Sequence, residues 1–106
     1  MALHGSNLDC VERLKILADE TRLQVLRLLL HEDLTVGEIG QRLGTEATLL
    51  SHHLRTLRAA GLVQTSREGK RIRYRLVAEA RPANGVDGID LGCCVLSFDT
   101  LPTPQE

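Results

Sequence analysis

Apolar residues recur at helical spacing in four runs before Gly61, and beyond it the period shortens to two. Leu8, Val11, Leu14, Ile16 and Leu17 predict a first helix over residues 6–18. Leu23, Leu26 and Leu30 predict a second over residues 21–31, started by Asp19 or Glu20 and buried along its leucines. Val36, Ile39 and Leu43 predict a third, opening in the segment Leu34-Thr35-Val36-Gly37-Glu38, where Thr35 and Glu38 have capping-box spacing. Leu50, Leu54 and Leu57, with His53 at the edge of their stripe, predict a fourth. It starts at Thr45 or Glu46, after the break at Gly44, and stops at Gly61. Residues 62–66 and 71–77 then read as strands joined by the turn Arg67-Glu68-Gly69-Lys70. In the second strand Ile72, Tyr74 and Leu76 alternate with Arg71, Arg73 and Arg75, giving one packing face and one row of guanidinium groups.

Four helices followed by a hairpin, with a glycine turn between the third and fourth, predict a mainly α winged helix-turn-helix. The fourth helix is then the one that reads DNA. Its polar face carries Thr48, Ser51, His52, Arg55 and Arg58, donors and acceptors suited to base edges and phosphates in a major groove. The chain is formally −1, yet residues 51–81 hold eight Lys or Arg against two Asp or Glu. Net charge therefore understates the field at this face, and a one-sided arginine row beside such a helix favours phosphate binding.

Four blocks carry a family resemblance: LKILADETRLQVLRLL (residues 14–29), LTVGEIGQRLG (34–44), LSHHLRTLRAAGLV (50–63) and REGKRIRYRL (67–76). In order and spacing they resemble the ArsR/SmtB family of metal- and metalloid-responsive repressors, over about two-thirds of the chain. The resemblance implies a homodimer that holds double-stranded operator DNA and releases it on capturing an inducer. Carried over, DNA contacts fall to Thr48, Ser51, His52 and Arg55 on the helix and to Arg67, Lys70, Arg71 and Arg73 on the wing.

A chain of 106 residues is near the low end for an independent core, so dimerisation through the apolar first helix fits the size. Residues 1–78 read as the DNA-binding domain and residues 79–106 as a turn-rich tail, extended rather than helical over IDLGCCVLSF. With no run of about 18 apolar residues and no N-terminal signal pattern, a cytoplasmic protein without membrane contact is expected. Paired carboxylates, a nucleophile elbow and a phosphate-cradling glycine loop are all missing, which argues against an enzyme.

The inducer must be sought elsewhere in the chain. Two ligand sets implied by the resemblance do not transfer. Thr35 and Gly37 occupy the positions of one cysteine pair, and no histidine follows Leu76 to supply a C-terminal zinc site. What remains is Cys10 on the first helix and the adjacent Cys93 and Cys94 in the tail. Cytosolic thiols stay mostly reduced, so a soft-ligand or redox role is expected rather than a structural disulfide. Three thiolates match the pyramidal coordination of trivalent arsenic or antimony, with Cys10, Cys93 and Cys94 as ligands and Cys10 from either subunit. Zinc or cadmium, aided by His4 and His31, stays open, as does a redox or persulfide switch. Cys10 as a small buried hydrophobe is the plain alternative for that residue. No cofactor is expected to be permanently bound. A protein-interaction module that does not bind DNA is the alternative from another class, although it has no need of the arginine row.

Overall fold

Side-chain oxygens start three of the helices. In the computed structural model, which describes residues 6–98 and side chains from residue 10 onward, α1 (Ser6–Leu17) is followed by α2 (Glu20–His31). Asp19 accepts the Arg22 N–H at 3.0 Å and so caps α2. In α3 (Val36–Leu43) the Thr35 hydroxyl accepts the Glu38 N–H at 3.2 Å, and Glu38 accepts the Thr35 N–H at 2.8 Å. The expected capping box is therefore complete. At α4 (Ala47–Ala59) the cap is Glu46 rather than Thr45: its carboxylate takes the N–H groups of Thr48 and Leu49 at 3.2 and 3.1 Å. A carboxylate at that position meets the positive end of the helix dipole as well as the free donors, which a hydroxyl does only weakly.

The end of α4 is closed by its glycine. Gly61 has φ +77 and donates to the Arg58 carbonyl, while Leu62 donates to that of Leu57. This is a Schellman closure, with Leu57 and Leu62 both buried beside it. The chain then enters the wing, β2 (Val63–Glu68) and β3 (Arg71–Leu76), paired antiparallel from Val63↔Leu76 to Glu68↔Arg71. Only Gly69 and Lys70 form the turn, with Gly69 at φ +63, so β2 reaches two residues further than the predicted strand.

A third strand was absent from the predicted order. Leu34 and Thr35 form β1, which pairs with β3 through Leu34↔Tyr74 and Thr35↔Arg73 and gives a sheet ordered β1-β3-β2. Two residues are too few to show a strand period, and the capping pattern that begins at Thr35 masked them. The pairing ties the base of the wing directly to the start of α3.

After a 3-10 turn at Ala78–Ala80 the tail runs as an antiparallel hairpin, β4 (Gly88–Asp90) and β5 (Val95–Ser97), extended as expected. It packs inward. Ile89, Leu91 and Phe98 are buried in the same cluster as Val25, Leu26, Leu29, Ile39, Leu50, Leu54 and Leu57. Arg27 lies over the Phe98 ring at 5.3 Å, and Asp87 meets His31 at 3.3 Å and Arg27 at 3.8 Å. These contacts hold the hairpin to α2 and bring its tip against α1. None of the described helices is long and apolar enough to cross a membrane.

Candidate functional site

Helix α4 divides cleanly by periodicity. Leu50, His53, Leu54 and Leu57 are buried, whereas Thr48, His52, Arg55 and Arg58 are exposed and Ser51 is half-buried. His53 faces away from the polar surface: its Nδ1 lies 3.0 Å from Arg22 Nη1. Arginine can only donate, so Nδ1 accepts, and the ring proton sits on Nε2. Arg22 also donates to the Ile16 carbonyl at 2.6 Å. One guanidinium thereby joins the end of α1, the start of α2 and the back of α4, and holds the candidate reading helix in place.

On the wing Arg67, Lys70, Arg71 and Arg75 are exposed. Arg73 is not, and the row of guanidinium groups read from the alternation is therefore uneven. Arg73 Nε donates to Glu68 at 2.8 Å, and its Nη1 donates to the Asp33 carbonyl at 3.0 Å and lies 3.6 Å from Glu38. These partners come from β2, the α2–β1 link and α3, and none could be inferred from alternation along β3. The Thr35 N–H above all, then Thr35's hydroxyl and the Arg73 charge, hold the Glu38 carboxyl below its ordinary range. Arg75, which the resemblance did not assign to DNA, is a further candidate contact that the alternation along β3 already placed on this face. Between the start of α3 and the wing lies a cleft of about 510 Å³, bordered by Gly37, Gln41, Lys70 and Arg71.

The cysteines meet where the α1 face bearing Cys10 touches the β4–β5 turn bearing Cys93 and Cys94. The turn is closed by the Leu91 N–H donating to the Cys94 carbonyl at 2.8 Å and the Gly92 N–H donating to Asp90 at 2.8 Å. Arg13, one helical turn beyond Cys10, donates to the Leu91 carbonyl at 3.0 Å. All three sulfur atoms lie within 4.8 Å of one another in a single chain. Cys10 and Cys93 are joined as a disulfide, with Cα atoms 6.2 Å apart, and the Cys94 sulfur is 3.9 Å from that of Cys93. Three free thiols were expected. The contact of α1 with the hairpin tip places two of them at a separation that a disulfide spans without backbone movement. Cys93 and Cys94 are exposed and Cys10 is half-buried, so the group is open to solutes. Of the histidines offered as extra ligands, His31 is engaged with Asp87, and His4 lies outside the described residues.

Residues 19–65 match the profile of the bacterial regulatory protein, arsR family. The chain is 45% identical over 69 residues to the HTH-type transcriptional regulator KmtR of Mycobacterium tuberculosis, covering 65% of this chain and 53% of that protein. It is 46% identical over 74 residues to the transcriptional activator HlyU of Vibrio cholerae, covering 70% of this chain and 68% of HlyU. A solved structure of that HlyU superposes with a TM-score of 0.67 over 74% of this chain and 83% of its own, at 40% identity. HlyU has also been solved in its reduced form. The homodimeric winged helix-turn-helix DNA-binding domain of Mb0332 from Mycobacterium bovis superposes with a TM-score of 0.65 at 37% identity, over 74% of this chain and 78% of that one. The chain thus spans about half the length of KmtR and about two-thirds of HlyU. These relatives are named as regulators of transcription, not as enzymes.

Proposed function

The chain belongs to the arsR family of bacterial regulatory proteins, and from that premise we propose that it is a homodimeric repressor released from operator DNA by a thiophilic inducer, arsenite or antimonite. The observation that carries this reading is the convergence of Cys10, Cys93 and Cys94 within 4.8 Å of one another. Three thiols capture one arsenite by exchanging its three hydroxyls for sulfur, with loss of three waters. The product is a pyramid that needs no further ligand. Zinc and cadmium fit the count less well, since a closed zinc site takes four ligands. Each chain supplies a full set, so a dimer carries two sites. The protein acts in the cytoplasm, where its thiols are kept reduced and competent.

DNA binding falls to Thr48, Ser51, His52 and Arg55 on α4 and to Arg67, Lys70, Arg71 and Arg75 on the wing, with Arg73 setting the wing's angle. Dimerisation uses the outer stripe of α1, where Val11 and Leu14 are exposed, with exposed Ala18 directly after the helix. A stripe of that kind suits a second copy, and Mb0332 is a homodimer. Capture of inducer bonds α1 to the hairpin tip it already touches and so fixes a spacing of the two reading helices that no longer fits the operator. Inducer and operator then weaken each other by the same factor.

A second reading rests on the disulfide between Cys10 and Cys93. Here the two thiols surrender two protons and two electrons to a peroxide, which leaves as two waters, and the new bond replaces the inducer. Support for this reading comes from the Cα separation of 6.2 Å between Cys10 and Cys93, and a reduced form of the similar HlyU has been solved.

One titration separates the two. Reduced protein on an operator selected from a random duplex pool is challenged with arsenite, antimonite, zinc, cadmium and hydrogen peroxide. The proposal expects arsenite or antimonite to release DNA with one metalloid bound per chain, and Cys93→Ser or Cys94→Ser to bind DNA but stay bound. Release by peroxide alone, with loss of two free thiols and no metalloid uptake, selects the redox reading.

A further inference from the structure

Among the described residues, the large apolar side chains left exposed are Val11, Leu14, Leu49 and Val95. Val11 and Leu14 share the outer stripe of α1, and Val95 opens β5 directly after the cysteine turn. Leu49 is alone on α4. It is 48% exposed, next to Thr48 and one helical turn before His52, both exposed in turn. An exposed leucine by itself means little. This one sits in the first turn of a helix whose other outward residues are polar, cationic or small, and Cβ vectors in a helix tilt toward its N-terminus. Its side chain is therefore aimed at the end of α4 that a winged helix-turn-helix sends into the major groove.

Among the described residues, the side chain has no contact that accounts for it. Its backbone N–H is one of the two groups capped by Glu46, and the buried stripe beside it is filled by Leu50, His53, Leu54 and Leu57. A leucine can neither donate nor accept, so it is indifferent to the hydrogen-bonding edges of bases. The apolar feature that B-DNA offers in the major groove is the C5-methyl group of thymine.

We propose that Leu49 is a specificity-determining residue that packs against a thymine methyl in each operator half-site. The surroundings favour DNA as the occupant of this surface over a second protein. Arg55 and Arg58 continue along the same helix, and Arg67, Lys70, Arg71 and Arg75 are exposed on the adjoining wing. A protein partner covering Leu49 would have to desolvate several of these cations, whereas phosphates neutralise them. The inference rests on the DNA-binding reading and adds to it the identity of one base pair.

The test isolates one methyl group. Operators are selected from a random duplex pool with the full-length protein and with Leu49→Ala. Each thymine of the wild-type operator is then replaced by uracil, which deletes the C5-methyl and leaves pairing intact. The expected result is one position per half-site where uracil weakens wild-type binding about fourfold, the worth of one buried methyl group. Leu49→Ala should show no penalty there, should tolerate other pyrimidines at that position, and should keep its melting temperature and the salt dependence of binding. Indifference of the wild type to every uracil overturns the proposal. So does an equal penalty in Leu49→Ala, or a loss of dimer in that variant, which would assign the leucine to a protein interface. If the wild-type protein enriches no duplex at all, the DNA-binding reading fails first, and the two failures are told apart by that step.

Discussion

Arg13 and Leu91 are 78 residues apart in the chain, and a guanidinium-to-carbonyl hydrogen bond of 3.0 Å joins them. The carbonyl belongs to the turn that carries Cys93 and Cys94, and the arginine follows Cys10 by one helical turn. The other end of the same guanidinium lies near the glycine that terminates α4, 4.0 Å from where a Cβ at Gly61 would stand. Arg13 is thus a wedge between the cysteine centre and the end of the proposed reading helix.

Replacing Arg13 by Gln should therefore uncouple sensing from release. The variant is expected to bind operator and to take up one arsenite per chain, while the ratio of operator affinities without and with inducer falls roughly tenfold. Affinities measured by fluorescence anisotropy at fixed salt, alongside metalloid stoichiometry, check this. An unchanged ratio would remove Arg13 from the transmission route.

The wing separates two kinds of arginine. Arg71→Ala should lower the slope of log affinity against log salt by about one, as expected for loss of one phosphate contact, with little change in melting temperature. Arg73→Ala should do the reverse. It leaves the Glu38 and Glu68 carboxylates without their shared cation and the Asp33 carbonyl without its donor, so the melting temperature should fall by several degrees. Paired melts and salt titrations of the two variants decide the matter, and equal salt slopes would contradict the division.

Asp19 links stability to acidity. The Arg22 N–H hydrogen bond, aided by the Arg22 charge, holds its carboxyl below the ordinary value of 3.8 against a smaller opposing effect of burial. A folded-state value below the unfolded one means that the ionised cap stabilises above about pH 4, and that this contribution is lost as pH falls through the folded value. Asp19→Asn keeps a capping oxygen but loses the charge, so it should be less stable than the parent near neutrality, converge with it at low pH, and flatten the acid limb of the stability curve. Asp19→Ala should cost about 1 kcal/mol at pH 7. Urea denaturation between pH 3 and pH 7 reads both, on the usual acid scale for carboxylates.

Local chemistry made much of this protein legible in advance. The four helices follow from apolar spacing, the start of α3 from Thr35 and Glu38, the end of α4 from Gly61, and the wing from alternation across a glycine turn. Each of these depends on residues within a few positions of one another, where the backbone's own hydrogen bonds and rotamers act. The same is true of the exposed set Thr48, His52, Arg55, Arg67, Lys70 and Arg71, because helix and strand periods assign faces before any packing is known. The gap in that logic is Arg73, whose neighbours along β3 say nothing of Glu38 or Asp33.

Tertiary structure decided the rest. Strand β1 exists because Leu34 and Thr35 meet Tyr74 and Arg73, not because two residues have any preference for a strand. The tail hairpin is held by burial of Ile89, Leu91 and Phe98 in the core beside α2, and that burial carries its turn to α1. Only then do Cys10 and Cys93, separated by 83 residues, come within bonding reach. Sequence by itself determined which elements form and which faces they offer, since short-range spacing is enough for that. Which distant side chains would touch, and hence whether three cysteines make one centre, depended on the closing of the whole core.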